Sequence, residues 1–349
     1  LILSIDKDVF CRNFIYIGLR FMKFSVVIST YNRLDLLRRA IDSVLNQTMK
    51  CEVVVVDDCS SDETETYIKS LGNSVVYHRH QVNKGHAATV NAGVETATGD
   101  WIKFLDDDDY LAPNCLEEMA RAIALHSNAV ICSCVAAQVD SHEVEISRTP
   151  QFGPGLAFYI PQADIHYGML LELVPFGTPA QVACSRKTFL ETGGWDSQLD
   201  ANCDDIDSWI RIAQFGDAIF LNQCLAYRTI WAGAYNYKFS PTRRLNMNIL
   251  MKEKIYALVN QKHRSHMPSL ENIRLYVKLH WSIVALKQGR LKNFLAMVYP
   301  AMFSVVAWWM LLSAILSRRI NRRHAGIQKF VLIKGIGDWE LGIAEEIGG

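Results

Sequence analysis

The chain reads as an α/β protein: a doubly wound, mostly parallel sheet with flanking helices, followed by a helical C-terminal extension. Three observations predict this. Apolar runs alternate with helical periodicities from Phe24 to Asp109 in the order βαβαβαβ, and each connection is long enough for a crossover helix. The run Val53-Val54-Val55-Val56 is β-branched on both faces, as in an interior parallel strand. Polar clusters follow three strands, at 29–33, 57–62 and 106–109. Ligands of such sheets bind outside the carboxyl ends of the strands.

Taken in order, Phe24 to Ile28 is an apolar strand running into Ser29, Thr30, Tyr31, Asn32 and Arg33. Leu34, Leu37, Ile41, Val44 and Leu45 then fall on one face at helical spacing. The second strand, Glu52 to Val56, ends in a polar turn, Asp57 to Asp62, that caps a helix over 63–71. Ser74 to His78 is a third strand, and 85–98 a helix of small residues stopped by Gly99. The fourth strand, Trp101 to Leu105, ends in four consecutive carboxylates, Asp106 to Asp109.

Like charges packed side by side repel unless a cation, donors or water compensate them. A hard divalent ion, Mg²⁺ or Mn²⁺, suits such oxygen ligands. The bland alternative is a solvated acidic turn.

Pro113 opens the next helix, and a strand around Cys132 follows. Residues 140–180 read as an irregular loop region over the sheet face. A short helix over 185–192 is closed by Gly193-Gly194. Residues 204–213 form an amphipathic helix with Ile206, Trp209, Ile210 and Ala213 on one face and a surface pair, Asp207 with Arg211. Asp204 and Asp205 sit in its first turn, where the helix dipole favours negative charge whatever their function. Residues 218–221 and 225–228 read as two closing strands.

The texture changes after residue 240. Helical stretches are expected near 242–260, 269–288 and 294–316. The last carries no charged residue over 23 positions and is followed by Arg318, Arg319, Arg322 and Arg323. It is long enough to cross a bilayer, and the basic flank suits a cytoplasmic membrane face. A single crossing would separate the sheet domain from that flank. A re-entrant or interfacial helix is therefore the preferred reading, with the protein in the cytoplasm at the inner face of the plasma membrane. The expected domains are a leader (1–21, with Met22 as the start of the native product), a catalytic domain (22–240) and a helical region (241–349).

Composition narrows the function classes. Half of the 349 residues are hydrophobic, enough for a sizeable core. Lys+Arg and Asp+Glu both total 36, so no basic footprint points to nucleic acid. The nine cysteines include no C-x-x-C pair, which argues against zinc and fits a reducing compartment. No Gly-x-Gly-x-x-Gly follows the first strand and no Gly-Lys-Ser/Thr loop occurs, which disfavours a dinucleotide site and a P-loop.

Several motifs, in this order, carry a family resemblance. They are Val-Val-Ile-Ser-Thr-Tyr-Asn-Arg (26–33), Val-Val-Asp-Asp-Cys-Ser-Ser-Asp-Glu-Thr (55–64), Asn83-Lys84-Gly85, Asn91-Ala92-Gly93, Gly99-Asp100-Trp101-Ile102, Leu105 to Asp109, and Gly193-Gly194-Trp195-Asp196. The set resembles the family-2 inverting glycosyltransferases of GT-A fold over residues 24–235.

The resemblance implies a site. Ser29 and Thr30 would cradle the nucleotide, Tyr31 would face the base, and Asp58 would accept from the base's imino N–H. A DXD-type motif maps onto Asp106-Asp107-Asp108, with Asp108 contacting the metal, Asp106 nearer the ribose or metal, and Asp109 orienting its neighbours. Asp204-Asp205 takes the place of a Glu-Asp pair, with Asp205 as general base. Val90 stands where many members carry Arg, so a diphosphate contact falls to Lys84, Arg33 or His86. Trp209 and Trp231 are candidates to stack on acceptor sugars, with a core position the other reading of Trp209.

The implied activity is inverting, Mg²⁺- or Mn²⁺-dependent transfer from a nucleotide-diphospho-sugar, a UDP-sugar first, to a glycan or lipid-linked acceptor hydroxyl in bacterial cell-surface polysaccharide synthesis. A polyprenyl-phosphate glycosyltransferase and a catalytically silent nucleotide-sugar-binding member are the alternatives.

Overall fold

A computed structural model describes residues 22–199, 203–231, 240–319 and 327–333. The expected leader, 1–21, lies outside them. The chain divides into two compact units: Leu1–Ile165 with Val174–Trp231 and Gln328–Gly349, and His166–Leu173 with Ala232–Ile327.

The first unit opens with the expected alternation: β1 (Phe24–Thr30), α1 (Leu34–Leu45), β2 (Glu52–Asp57), α2 (Thr64–Ser70), β3 (Val76–Arg79), α3 (His86–Thr96) and β4 (Trp101–Asp106). It continues with β5 (Tyr110–Leu111), α4 (Cys115–Leu125), β6 (Ala129–Val139), β7 (Glu145–Arg148), β8 (Ala157–Ile160), α5 (Gln162–Leu170), β9 (Val182–Ser185), α6 (Arg186–Glu191), α7 (Asp204–Ile212) and β10 (Asp217–Thr229). The sheet order is β11-β8-β10-β6-β9-β4-β1-β2-β3, with β5 and β7 pairing off this path. Strands β4, β1, β2 and β3 are mutually parallel. Beyond them β9 runs antiparallel to both β4 and β6, and β6 and β10 are parallel again.

Register decides what the sheet edge presents. Ser29 of β1 lies opposite Asp106 of β4, and Thr30 opposite Asp57 of β2. The polar ends of three strands therefore meet at one edge.

Packing explains the small residues of α3. A Cβ on Gly93 would lie 2.3 Å from Val27 Cγ1, so only glycine lets this helix settle onto β1 and β2. The helix α1 buries Leu37, Ala40, Ile41 and Val44, while Leu45 stays exposed. One residue of β4 ahead of its terminal Asp106 is not apolar. Lys103 is fully buried, and its Nζ donates to the carbonyls of Phe104 (2.9 Å), Ala180 (2.5 Å) and Pro179 (3.2 Å). It ties β4 to the turn before β9, and these carbonyls supply the partners a buried ammonium needs.

Several expectations are corrected. Residues 140–180 are not one irregular loop, because β7, β8 and α5 lie there. The two closing strands are one, β10, whose register shifts near Leu221 and Cys224 absorb the break in its apolar pattern. The pair of Asp207 and Arg211 is interior rather than on the surface. Asp207 is buried, and Arg211 also donates to the carbonyls of Thr192 and Gly194 (2.6 Å to the latter), fastening α7 to the Gly193-Gly194 turn. Ile206 points outward, while Ser208 takes its place inside. Finally β11 (Phe330–Ile333), in the tail assigned to the helical region, pairs with β8 and belongs to the first unit.

The second unit is helical: α8 (Pro241–Leu258), α9 (Leu270–Lys287), α10 (Leu291–Val298) and α11 (Val305–Arg319). Its core gathers Leu245, Tyr276, Val277, Leu279, Met297, Ala301 and Leu311, among others. The expected continuous helix over 294–316 is broken. Its two halves, Leu291–Ala301 and Val305–Ala314, are bent by 118°. No single helix among the described residues is long and apolar enough to cross a membrane.

Candidate active site

The site is built on the carboxyl ends of β1, β2 and β4 and on the starts of α3 and α7. Asp107 is its anchor. It is buried and accepts from Thr30 Oγ1 at 2.9 Å, the Tyr31 amide at 3.4 Å and the Arg33 guanidinium at 2.8 Å. Its carboxylate thus holds the β1 turn against the end of β4. Burial pushes Asp107 up to about 7, Arg33 pulling the other way. Tyr31 stands exposed beside Asn32, whose φ of 52° makes the turn sharp. Asn32 Oδ1 accepts from the Ser61 amide at 2.7 Å, joining the ends of β1 and β2.

The other three members of the Asp run converge elsewhere. Oxygens of Asp106, Asp108 and Asp109 lie within 4.8 Å of one another. Asp108 Oδ2 accepts from Trp231 Nε1 at 3.0 Å and lies 3.5 Å from Arg33, whose guanidinium also sits over the Trp231 ring at 5.5 Å. Asp109 accepts from the Thr229 amide at 3.0 Å. Arg39 donates to the Asp108 carbonyl at 2.7 Å and to Thr229 Oγ1, so the run is pinned to β10. Burial, then the neighbouring carboxylates, push Asp108 and Asp109 up. That uncompensated negative charge and the all-oxygen donor set fit a hard divalent cation.

Asp58 has a structural task at the end of β2. It is buried and spends its oxygens on the following turn, accepting from the Lys84 amide at 2.8 Å and the Gly85 amide at 2.9 Å, with His80 Nδ1 at 2.9 Å. Its observed work is to latch the turn that starts α3. The Lys84 side chain is exposed. Ser29 is buried under the edge.

The latched turn delivers His86. Its Nε2 lies 3.0 Å from Asp106 Oδ1 and its Nδ1 lies 3.3 Å from Asp204 Oδ2. Desolvation opposes protonation, yet the hydrogen bond to Asp106 and the charge of both carboxylates outweigh it and hold the imidazole well above its ordinary pKa. The ring keeps 38% exposure, so water screens part of this field. Asp106 is correspondingly held below its usual range, His86 outweighing the burial that opposes its ionisation. Asp205, next to Asp204, accepts from the Ile206 amide at 2.7 Å. Burial, then the charge of Asp204, push Asp205 up to about 7.

The structure therefore brings Asp106 and Asp204 together through His86, which the sequence offered only as one of three diphosphate contacts. The sequence carries a faint signal for it: a His directly after the glycine that opens α3. Trp231 donates its indole N–H to Asp108 at 3.0 Å, with Arg33 over its ring. Trp209 is core, its Nε1 donating to the Gly177 carbonyl at 3.3 Å. Asn91 fastens the Gly-Gly-Trp-Asp turn, donating to the Trp195 carbonyl at 2.9 Å and accepting from its amide at 2.7 Å.

The fold and this arrangement of strand ends define a glycosyltransferase domain of GT-A type. Residues 25–192 match the family model described as Glycosyl transferase family 2, so the chain carries a family-2 glycosyltransferase domain. A Rickettsia typhi glycosyltransferase is 27% identical over 232 residues, covering 60% of this chain and 70% of its own length. The Campylobacter jejuni GalNAc(5)-diNAcBac-PP-undecaprenol beta-1,3-glucosyltransferase is 38% identical over 104 residues, 28% of this chain and 34% of its own. Among solved structures, S. aureus TarS 1-349 in complex with UDP-GlcNAc superposes with a TM-score of 0.56 at 18% identity, covering 89% of this chain and 95% of that one. The Pyrobaculum calidifontis mannosyltransferase PcManGT in complex with GDP-Man and Mn2+ gives 0.50 at 17%, covering 90% and 95%. At these identities the structural likeness speaks for the fold.

Proposed function

We propose that the protein is an inverting, divalent-metal-dependent transferase that moves a sugar from a nucleotide-diphospho-sugar to a hydroxyl of a glycan or lipid-linked acceptor, in cell-surface polysaccharide synthesis. The observation that carries this reading is the proximity of two acidic groups with different environments. Asp106, Asp108 and Asp109 converge within 4.8 Å. Asp205, at the start of α7, is pushed up to about 7, close to the working pH of a general base.

In this reading Asp106 and Asp108, with Asp109 beside them, hold Mg²⁺ or Mn²⁺, which supplies positive charge to the leaving diphosphate. Thr30, Tyr31 and the β1 turn held by Asp107 receive the nucleotide. Arg33 and His86 each contact a carboxylate of the Asp run and stabilise negative charge beside it. Asp205 takes the proton from the acceptor hydroxyl. The acceptor oxygen bonds to the anomeric carbon while the bond to the β-phosphate oxygen breaks and its electron pair leaves with the nucleotide. One displacement from the face opposite the leaving group inverts the anomeric centre.

The named ligands of TarS and PcManGT support a nucleotide-sugar donor, with UDP-sugars first to test, and a divalent ion. The undecaprenol-linked acceptor of the C. jejuni relative supports a lipid-linked acceptor. The test is release of nucleoside diphosphate from a panel of nucleotide-sugars with Mn²⁺ and with a chelator, followed by NMR of the product anomer. Chelator-sensitive release with an inverted anomer is expected. Donor binding without turnover on any acceptor would make this a silent member, and a retained anomer would overturn the role of Asp205.

A further inference from the structure

Helices α10 and α11 are apolar on both faces. Inward, Met297, Ala301, Ala307 and Leu311 join the core of the second unit. Outward, Leu291, Leu295, Tyr299 and Phe303 recur every fourth residue, and Val305 and Trp309 continue the pattern on α11. All six are exposed, Phe303 at 83% and Val305 at 81%. A water-facing surface rarely carries such a concentration of large apolar groups.

Charge says what covers it. The whole chain balances 36 cationic against 36 anionic side chains, yet between Glu271 and Asp338 there are eleven Lys and Arg and no Asp or Glu. Cations bracket the hairpin, with Lys287, Arg290 and Lys292 before it and Arg318, Arg319 and Arg322 after it. Aromatic rings at an apolar edge beside basic residues suit an anionic bilayer interface. Geometry says how deep the segment goes. The 15 residues of α11 would reach only ~22 Å at 1.5 Å per residue, short of the ~30 Å hydrocarbon core. The chain also turns back by 118° between the two halves. At that break Trp308 Nε1 donates to the Met302 carbonyl at 2.9 Å, pairing a backbone group that lipid could not satisfy.

We propose that α10 and α11 form a monotopic hairpin in one leaflet of an anionic membrane, entering and leaving it on the same face. A straight span would instead send the flanks to opposite faces. This inference stands apart from the catalytic reading, because its test is binding.

The full chain is sedimented with vesicles of mixed phosphatidylglycerol and phosphatidylcholine, with phosphatidylcholine vesicles alone, and at raised salt. Strong binding only to the anionic vesicles, weakened by salt, is expected. The double variant Phe303→Asp/Val305→Asp should lose binding at least tenfold while its thermal midpoint and its nucleoside diphosphate release on a soluble acceptor stay unchanged. Quenching of the Trp309 signal, taken as the difference from Trp309→Phe, should be greater with lipids brominated near the headgroup than at the chain ends. Unchanged binding by the double variant would overturn the proposal. So would a lipid-free dimer, seen by light scattering, that ignores vesicles, since a second copy would then be the cover. Quenching strongest at the bilayer centre would overturn it in favour of a span.

Discussion

His86 and Asp204 face each other at 3.3 Å, and the other nitrogen of the same ring lies 3.0 Å from Asp106. One imidazole thus joins the end of β4 to the start of α7, two segments about a hundred residues apart. Replacing it tests whether the two acidic groups work as one site. His86→Ala should lower turnover about 10- to 100-fold, the usual scale for a group that orients others. His86→Gln, which keeps a donor for one carboxylate, should recover part of it. Steady-state kinetics that show a loss in donor KM alone would mean that His86 merely binds the nucleotide-sugar.

Trp231 contributes through Asp108. Its indole N–H reaches the carboxylate at 3.0 Å while its ring lies under Arg33. Trp231→Phe keeps a ring but removes the donor. The Mn²⁺ concentration for half-maximal activity should rise about tenfold, with turnover at saturating metal near the native value. Asp108→Ala should abolish metal-dependent activity with the circular dichroism spectrum intact. A metal titration of both variants checks the order.

Asp205 has a raised folded pKa, up to about 7 against an ordinary 3.8. A base must be ionised to act, so kcat/KM should fall about tenfold per pH unit below 7. Asp205→Asn should cut turnover by about two orders of magnitude or more at neutral pH.

The same shift has a stability consequence of opposite sense. The folded state holds the Asp205 proton more tightly than the unfolded chain does. Its stabilising contribution is therefore complete below the unfolded pKa, near 4, and is lost as pH rises through about 7. Asp205→Asn should raise the thermal midpoint at pH 8 by a few degrees, at roughly 2–4 °C per kcal/mol, and the gain should vanish near pH 4. Thermal scans at the two pH values measure it. A midpoint gain equal at both values would mean that the shift is not what Asp205 costs the fold.

Gly93→Ala sets two effects against each other. Alanine favours a helix over glycine by about 1 kcal/mol. Here the new Cβ would lie 2.3 Å from Val27 Cγ1 and 3.1 Å from Val56 Cγ2, and overpacking costs roughly 1–3 kcal/mol. Net destabilisation is expected, seen as a lower urea midpoint with an unchanged slope.

Much of the site was legible in the sequence because strand ends announce themselves. The alternating apolar runs fix where β1, β2 and β4 stop, and parallel topology forces those stops to one edge. The Asp pair at α7 was visible as a helix start. Less visible were the contacts that cross the fold. Asp58 accepts from the Lys84 and Gly85 amides, and Trp231 donates to Asp108, contacts that no local pattern announces.

By itself the sequence determined the parallel half of the sheet, the family and the acidic residues that gather at its edge, since periodicity and strand-end chemistry are local properties. Only the tertiary structure decided which aspartates face one another. Asp107 turns inward to Thr30 and Arg33, while Asp106, Asp108 and Asp109 converge. Consecutive residues leave a strand end in different directions, and which direction leads to donors or to other carboxylates depends on the distant segments packed there. The same holds for the break after Ala301. Hydropathy averages over a window and sees one apolar stretch, whereas the packing of Met297 and Leu311 into one core requires the chain to bend between them.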